Sequence, residues 1–252
     1  MKKLLIFTII LCLVPFAVLA EEPAVPILLY HNVTTAYNYA DAQLNVTPER
    51  FEEQLTALKN GGYNIISFRE YINYVNGQGV LPSNSVIITF DDGYSGVYNH
   101  AYPILMRQKV HATIFVISGL VGFNDTVYPH FTWEQAIEMD RSGYVDIQSH
   151  TNFHYNALEI PLPRLILELR KSKFDIETRL NKTCDILAFP YGEYDETELE
   201  AAKKAGYICV SRANDRGTNR KSGGLFHLNR IFVRGTWTGE DLLKIIAENN
   251  KQ

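Results

Sequence analysis

Two adjacent carboxylates, Asp91 and Asp92, end an apolar, β-branched run and are followed by Gly93. The run, residues 86–90, is typical of a buried strand that carries charge to the rim of a sheet. Because successive side chains of an extended chain point in opposite directions, the two carboxylates should meet different surroundings. One is then available as a metal ligand and the other as a general base. For an Asp-Asp-Gly sequence standing alone, a strand followed by an ordinary turn is the simpler interpretation.

Two histidines, His150 and His154, follow another predicted strand further downstream. On a helical turn this spacing would place both rings on one face, within reach of a single ion. The spacing alone is a weak signal, since most such pairs are surface or structural histidines. The carboxyl ends of parallel barrel strands converge, however, so both rings are expected to lie near Asp92. Two histidines and one carboxylate leave a coordination position open for water, as in hydrolytic metal sites.

The elements that must position these residues alternate between strand and helix along the chain. Apolar runs predict strands at residues 25–30, 63–67, 86–90, 111–117, 144–149, 186–189, 207–211 and 231–233, with a polar loop at 32–46. Amphipathic stretches with capping residues predict helices at residues 47–60, 68–75, 97–109, 132–142, 163–180, 197–205 and 239–249. This alternation predicts parallel βαβ units in an α/β fold, and about seven to eight strands predict an irregular (β/α) barrel.

The first twenty residues have the pattern of a secretory signal peptide. Lys2 and Lys3 precede an apolar run at residues 4–19, and the end of that run offers small residues to a signal peptidase. The run is short for a membrane span, although an uncleaved anchor is the alternative. Residues 21–252 are expected to form one catalytic domain, because 252 residues with 46% hydrophobic content support one substantial core.

Net charge and cysteine content argue against several classes of protein. Loss of Lys2 and Lys3 takes the formal charge from −4 to −6, and no basic patch points to a nucleic-acid partner. Only Cys184 and Cys209 remain after cleavage, so the chain is not a small disulfide-stapled protein. Both lie near predicted strands, where two buried thiols are favoured over a bridge, although secretion leaves a bridge open.

Three short motifs, each at the end of a predicted strand, resemble those of one enzyme family. They are Thr89-Phe90-Asp91-Asp92-Gly93, His150-Thr151-x-x-His154 and Phe189-Pro190-Tyr191-Gly192. Their residues and order resemble the first three motifs of the polysaccharide deacetylases, carbohydrate esterase family four with the NodB-homology domain. The opening Leu28-Leu29-Tyr30-His31-Asn32-Val33 further resembles the extracellular branch that includes poly-N-acetylglucosamine deacetylases. The resemblance spans most of the mature chain and implies a distorted (β/α) barrel.

The resemblance also implies a role for each residue at the strand ends. It assigns the catalytic base to Asp91, the metal ligands to Asp92, His150 and His154, the backbone N–H that meets the oxyanion to Tyr191, and substrate contacts to Pro190 and Tyr191. The implied cofactor is a divalent metal, Zn²⁺ first, with Co²⁺ or Ni²⁺ as alternatives. In the implied reaction the metal polarises an acetamide carbonyl and acidifies a water molecule whose proton the base accepts.

The chain lacks a good match to the family's usual fourth motif, and two further departures have chemical consequences. Ala188 stands near the position of an arginine that usually orients the base, and a C-terminal Leu-x-His that often supplies the acid is absent. We hypothesise that His31 replaces the acid, because the first strand of a closed barrel lies beside the last; a structural histidine is the alternative. Arg230 or Arg234 is a candidate for the missing arginine, although a salt bridge at the rim explains either residue equally well.

The resemblance, together with the predicted signal peptide, therefore implies a metal-dependent deacetylase, secreted or held in the cell envelope, that releases acetate from N-acetyl groups of a GlcNAc-containing polysaccharide. Exopolysaccharide, chitin-like polymers and peptidoglycan are the candidate substrates. The protein is expected to be a monomer, with membrane or wall association left open. One alternative is an O-acetyl esterase of xylan or another glycan, since an ester's better leaving group tolerates a weak acid. The other is a carbohydrate-binding relative without turnover, against which the retained carboxylates and histidines argue.

Overall fold

Short strands and longer helices alternate along residues 22–36, 43–124, 127–213 and 217–250, which are the residues described by this computed structural model. The strands are β1 (Ile27–Tyr30), β2 (Asn32–Val33), β3 (Asn45–Val46), β4 (Asn64–Ile66), β5 (Ser85–Phe90), β6 (Ala112–Val116), β7 (Val145–Ser149), β8 (Ile186–Ala188), β9 (Cys209–Ser211) and β10 (Ile231–Phe232). The α-helices are α1 (Pro48–Asn60), α2 (Phe68–Val75), α3 (Tyr102–Gln108), α4 (Trp133–Arg141), α5 (Leu162–Leu180), α6 (Glu196–Lys204) and α7 (Gly239–Asn249). Every predicted strand and helix has a counterpart in this set.

Eight of the strands form one sheet in the order β10-β1-β5-β6-β7-β8-β9, with β4 pairing with the start of β5. Each pair in this sheet is parallel, which confirms the predicted distorted (β/α) barrel of about seven to eight parallel strands. Because the strands are parallel, they all end at one edge. We call this the carboxyl edge, formed by the residues that follow β1, β5, β7 and β8. The opposite edge, where the same strands begin, is the amino edge.

The alternation of side chains along each strand divides the core into two layers. On β5, Ile88 belongs to the larger cluster, which includes helix residues such as Leu169 of α5. Ile87 belongs to a smaller cluster of inward-facing strand residues that Phe68 of α2 joins. Asp91 shares the parity of Ile87, so an extended chain directs its carboxylate towards the interior of the barrel.

Two local structures differ from the predictions. The predicted loop at residues 32–46 contains the short parallel pair of β2 and β3, in which Asn32 Nδ2 donates to Asn45 Oδ1 at 3.0 Å. The predicted helix at residues 97–109 begins with a π-helical turn at Val97–Ala101, and the α-helix starts only at Tyr102. Pro103 follows this turn, and because proline has no N–H to donate to the preceding turn, it accounts for the irregular hydrogen bonding at the start of this helix.

The two cysteines of the predicted mature chain, Cys184 and Cys209, are buried free thiols. Within the described ranges, no helix combines the length and the apolar character needed to cross a membrane. The predicted signal peptide, residues 1–20, lies outside the described residues. The assignment of residues 21–252 to one catalytic domain stays a prediction.

Candidate metal centre

The carboxyl edge brings the three predicted metal ligands together. Asp92 follows β5, His150 follows β7, and His154 lies four residues further along the chain. Asp92 Oδ1 lies 3.4 Å from His150 Nε2 and 3.4 Å from His154 Nε2. One ligand atom from each of the three residues lies within 4.8 Å of the other two. A single ion can therefore contact all three side chains.

The segment that carries both histidines is a loop, so the helical turn assumed from their spacing was wrong. Thr151 (φ 64°) and His154 (φ 60°) adopt left-handed backbone conformations, which are uncommon for any residue but glycine and unfavourable for a β-branched one. The His154 N–H donates to Thr151 Oγ1 at 3.2 Å. Contacts with the rest of the molecule, rather than helix propensity, must hold this conformation.

His150 is oriented by a backbone carbonyl. Its Nδ1 lies 2.7 Å from the Ala188 carbonyl oxygen, which accepts, so Nδ1 carries the proton and Nε2 presents a lone pair towards Asp92. Burial lowers the pKa of His150 to about 3, and burial also lowers the pKa of His154. Both rings are therefore neutral near pH 7, the form that binds a metal. Ala188, which stands near the position of the family's arginine, thus contributes through its backbone carbonyl.

The surroundings of Asp92 indicate whether the set of Asp92, His150 and His154 suits a cation. Its Oδ1 is buried and lacks a hydrogen-bond partner, although it faces two imidazole nitrogens. Burial raises the pKa of Asp92, and the neighbouring Asp91 carboxylate raises it further, against the opposing charge of His31. A buried carboxylate oxygen that faces lone pairs is costly unless a cation lies between them. Two nitrogens and one oxygen, arranged in this way, fit a divalent transition metal.

Asp91 is bound by Arg230, the residue directly before β10. Arg230 Nη1 lies 2.6 Å from Asp91 Oδ1, and Nη2 lies 2.6 Å from Oδ2, so the contact is bidentate. Both side chains are almost completely buried, at 0% and 3% exposure. Arg230 Nε also donates to the Arg212 carbonyl at 2.9 Å. Of the two arginines considered from the sequence, Arg230 thus contacts the carboxylate, whereas Arg234 is exposed.

The arginine keeps Asp91 ionised despite its burial. Burial by itself raises the pKa of Asp91, but the charge of Arg230 outweighs this effect and leaves the pKa at about 2. His150 Nε2 lies 3.7 Å from Asp91 Oδ2, so the carboxylate also borders the three-residue set. The two adjacent carboxylates therefore occupy different surroundings: Asp91 is held by a cationic side chain, and Asp92 faces the histidines.

His31 follows β1 and lies beside β10, as the barrel topology predicted. Leu29 of β1 pairs with Phe232 of β10, and the rings of His31 and Phe232 are 4.9 Å apart. The Asp91 N–H donates to the carbonyl of Tyr30, the residue directly before His31, at 2.9 Å, so His31 and the two carboxylates follow neighbouring strands. Its Nδ1 is buried without a hydrogen-bond partner. These contacts do not test its predicted role as the acid.

The third motif forms a tight turn after β8. Tyr191 has a left-handed backbone (φ 61°) and is 60% exposed, whereas Pro190 is buried. The ring of Tyr191 lies 4.8 Å from the ring of His154. At Gly192 (φ 70°) a Cβ atom would lie 2.3 Å from the Ala213 nitrogen, so only glycine fits. The turn therefore presents a tyrosine side chain beside the three-residue set.

A cleft of about 520 Å³ opens next to this turn. Polar and aromatic residues form its wall: His154, Tyr155, Asn156, Glu159, Tyr191 and Glu193. Since His154 belongs both to this wall and to the three-residue set, the cleft leads directly to the candidate metal centre. A sugar ligand can therefore approach the site from this side.

The chain is similar in sequence to proteins described as polysaccharide deacetylases. A family model described as polysaccharide deacetylase matches residues 78–210. The chain is 32% identical over 221 residues to YxkH of Bacillus subtilis, named as a polysaccharide deacetylase, covering 87% of this chain and 75% of that protein. It is 30% identical over 198 residues to a poly-beta-1,6-N-acetyl-D-glucosamine N-deacetylase of Staphylococcus aureus, covering 75% of this chain and 68% of that protein.

A solved structure agrees with these sequence matches. The deacetylase PplD of Streptococcus pyogenes, determined in complex with acetate, superposes with a TM-score of 0.81 at 30% sequence identity. The superposition covers 89% of this chain and 99% of that one. The structural similarity therefore extends over most of the chain, and the family match at residues 78–210 includes both Asp91 and Tyr191.

Proposed function

Because the chain belongs to the polysaccharide deacetylase family, we propose that it removes N-acetyl groups from a GlcNAc-containing polysaccharide by metal-dependent hydrolysis. Family membership makes it a hydrolase of amide bonds in N-acetylated sugars. The observation that carries the finer proposal is the position of Arg230-bound Asp91 beside the set of Asp92, His150 and His154. This arrangement offers a fixed base next to a place for a cation.

In the proposed reaction the metal is held by Asp92, His150 and His154. A divalent cation, Zn²⁺ first among the candidates, would supply a Lewis acid for the acetamide carbonyl oxygen and the attacking water. Asp91 accepts the proton of that water as it attacks the carbonyl carbon. The bidentate contact with Arg230 lowers the basicity of Asp91 but fixes both of its oxygens, so the carboxylate stays ionised and aligned.

Two further groups complete the proposed reaction. The backbone N–H of Tyr191 donates to the oxyanion that develops on the carbonyl oxygen, while the N–H groups of Gly192 and Glu193 donate to the carbonyls of Phe189 and Pro190. His31 gives a proton to the leaving amine. Acetate and a free glucosamine unit are the products. The position of His31 directly after β1, which pairs with β5, supports this role.

A GlcNAc polymer outside the cell is the proposed substrate. The Staphylococcus aureus relative is named for the β-1,6-linked polymer, which makes that polymer the first to test. Tyr191 and Tyr155 are exposed on the cleft and offer aromatic faces to sugar rings. We propose further that residues 1–20 are a cleaved signal peptide and that residues 21–252 act as a monomeric catalytic domain, released or attached to the envelope.

Acetate release tests the proposal. The purified protein, loaded with zinc, is incubated with β-1,6-linked GlcNAc oligomers, and a chelated sample serves as the control. We expect release with zinc and none after chelation, with cobalt or nickel restoring it in part. Release only from O-acetylated xylan would make the protein an ester hydrolase. Zinc binding without release from either substrate would favour a carbohydrate-binding protein.

A further inference from the structure

One buried carboxylate connects helix α5 to the loop between the two histidines. The Glu168 side chain is 3% exposed, and its Oε2 accepts a hydrogen bond from the Phe153 backbone N–H at 2.7 Å. Its Oε1 lies 2.9 Å from Nη2 of Arg164, one helical turn earlier. Hydrogen bonds to a charged acceptor are about twice as strong as those between neutral groups. Glu168 therefore makes a strong contact at the residue directly before His154.

This loop needs contacts from outside itself. Thr151 and His154, on either side of the contact, have left-handed backbones that local propensity disfavours. On the β6 side the loop is held at Asn152, whose carbonyl accepts from the Gly119 N–H at 2.9 Å. On the α5 side Glu168 holds Phe153. The first histidine continues the sheet, since the His150 N–H donates to the Val116 carbonyl at 2.9 Å, but the second depends on the loop.

We propose that Glu168 is a positioning residue that holds His154 in place and thereby sets the affinity of the metal centre, an inference that rests on the proposed function. Glu168 does not contact the three-residue set itself; it acts through the Phe153 N–H. Without this acceptor the Phe153 N–H loses its partner, and the left-handed turn at His154 loses its support. The ring of His154 then samples positions that do not contact a shared ion.

Helix α5 also contains a control glutamate, Glu177, whose side chain is 35% exposed where that of Glu168 is 3% exposed. Glu177 Oε1 accepts from the Cys184 N–H at 3.1 Å, and Lys173, one turn earlier, lies 3.1 Å from the same oxygen. The arrangement repeats that of Glu168: a glutamate, a cation at the preceding turn and a backbone N–H beyond the helix. Cys184, however, precedes β8 and so lies at the amino edge, away from the candidate metal centre. Removing Glu177 removes a similar contact without touching the histidine loop.

The experiment compares zinc affinity in Glu168→Ala, Glu168→Gln and Glu177→Ala proteins, measured by competition with a chromogenic zinc chelator. Removal of residues that orient metal ligands typically weakens affinity 10- to 100-fold. We expect at least a tenfold weaker affinity for Glu168→Ala, a loss of several fold for Glu168→Gln, which keeps a neutral acceptor, and no change for Glu177→Ala. Thermal unfolding without metal is recorded for all three, because loss of either contact lowers stability.

The outcomes separate this inference from the proposed function. A wild-type protein that binds no zinc would contradict the metal centre itself. A wild-type protein that binds zinc, together with a Glu168→Ala protein of the same affinity, contradicts only the role of Glu168. An equal loss of affinity in the Glu177→Ala protein also overturns it, since the effect is then one of general stability. Should Glu168→Ala fail to fold, Glu168→Gln decides, because wild-type affinity in that variant contradicts the inference.

Discussion

Two bidentate arginine–aspartate contacts lie at opposite edges of the sheet. At the carboxyl edge Arg230 binds Asp91 through contacts of 2.6 and 2.6 Å, with side chains 0% and 3% exposed. At the amino edge Arg69 binds Asp185 through contacts of 3.1 and 2.6 Å, with side chains 41% and 12% exposed. The residue types and the geometry are similar, so the surroundings must account for any difference in function.

The surroundings of the two pairs differ in how well their polar groups are satisfied. At the amino edge Gln148 Oε1 accepts from the N–H groups of Asp185 and Ile186, at 3.1 and 3.0 Å. At the carboxyl edge Asp92 Oδ1 and His31 Nδ1 are buried without partners. Within the described ranges seven non-glycine residues have a positive φ, and four of them lie in the three motifs: Asp92, Thr151, His154 and Tyr191. Unsatisfied polar atoms and backbone strain thus accumulate where a cation and a substrate would compensate for them.

The largest effect on activity is expected when the charge of Asp91 is removed. The same change at Asp185 provides the comparison. Asp91→Asn should lower kcat about 1,000-fold, within the range for a lost general base, because an amide cannot accept the proton of the attacking water. Asp185→Asn should leave kcat within about twofold, since Asp185 only pairs with Arg69 at the amino edge. Acetate release at saturating zinc and substrate measures both. Equal losses in the two variants would remove the functional distinction between the edges.

The next comparison concerns stability. Arg230→Met leaves a buried carboxylate without its partner and should lower the free energy of unfolding by about 3–5 kcal/mol. Arg69→Met removes a pair in which the arginine is 41% exposed, so solvent screening should limit the loss to about 1 kcal/mol. Urea denaturation of the metal-free proteins gives both values. A small loss for Arg230→Met would mean that water reaches Asp91 and that its burial is incomplete in solution.

The histidines allow a third comparison. His31→Ala should lower kcat about 100-fold, as expected when a general acid is lost, and should leave zinc affinity unchanged. His111, which packs beside Tyr144 at the amino edge with rings 5.2 Å apart, provides the control, and His111→Ala should leave both quantities unchanged. Near-normal turnover in His31→Ala would identify His31 as a structural histidine and leave the acid to be found.

Much of the carboxyl edge could be predicted from the sequence, because alternating strands and helices imply a parallel sheet whose strand ends converge. Asp91, Asp92 and His150 come directly after buried strands, so their common location follows from topology. The loop to His154 could not be predicted, since a left-handed Thr151 opposes local preference and depends on contacts from β6 and α5. For the arginine that contacts Asp91, the sequence left two candidates, Arg230 and Arg234. The choice between them depends on the register of β10 against β1, which the residues of β10 alone do not determine.

The smallest effect is expected from substitution of Tyr191. This substitution distinguishes the contribution of the aromatic ring from that of the backbone N–H. Tyr191→Ala keeps a Cβ atom, and therefore the cost of the left-handed backbone, together with the N–H proposed for the oxyanion. Only the aromatic face is lost, so KM for GlcNAc oligomers should rise up to about tenfold while kcat stays within about twofold.

Tyr144→Ala, at the amino edge, is the matched control for loss of a partly exposed ring, and both of its kinetic constants should stay unchanged. A fall in kcat with unchanged KM for Tyr191→Ala would give a different role to the ring, which lies 4.8 Å from that of His154. The ring would then steady the second histidine rather than a sugar. Tyr191 would act with Glu168 on the same loop, and zinc affinity would fall in both variants.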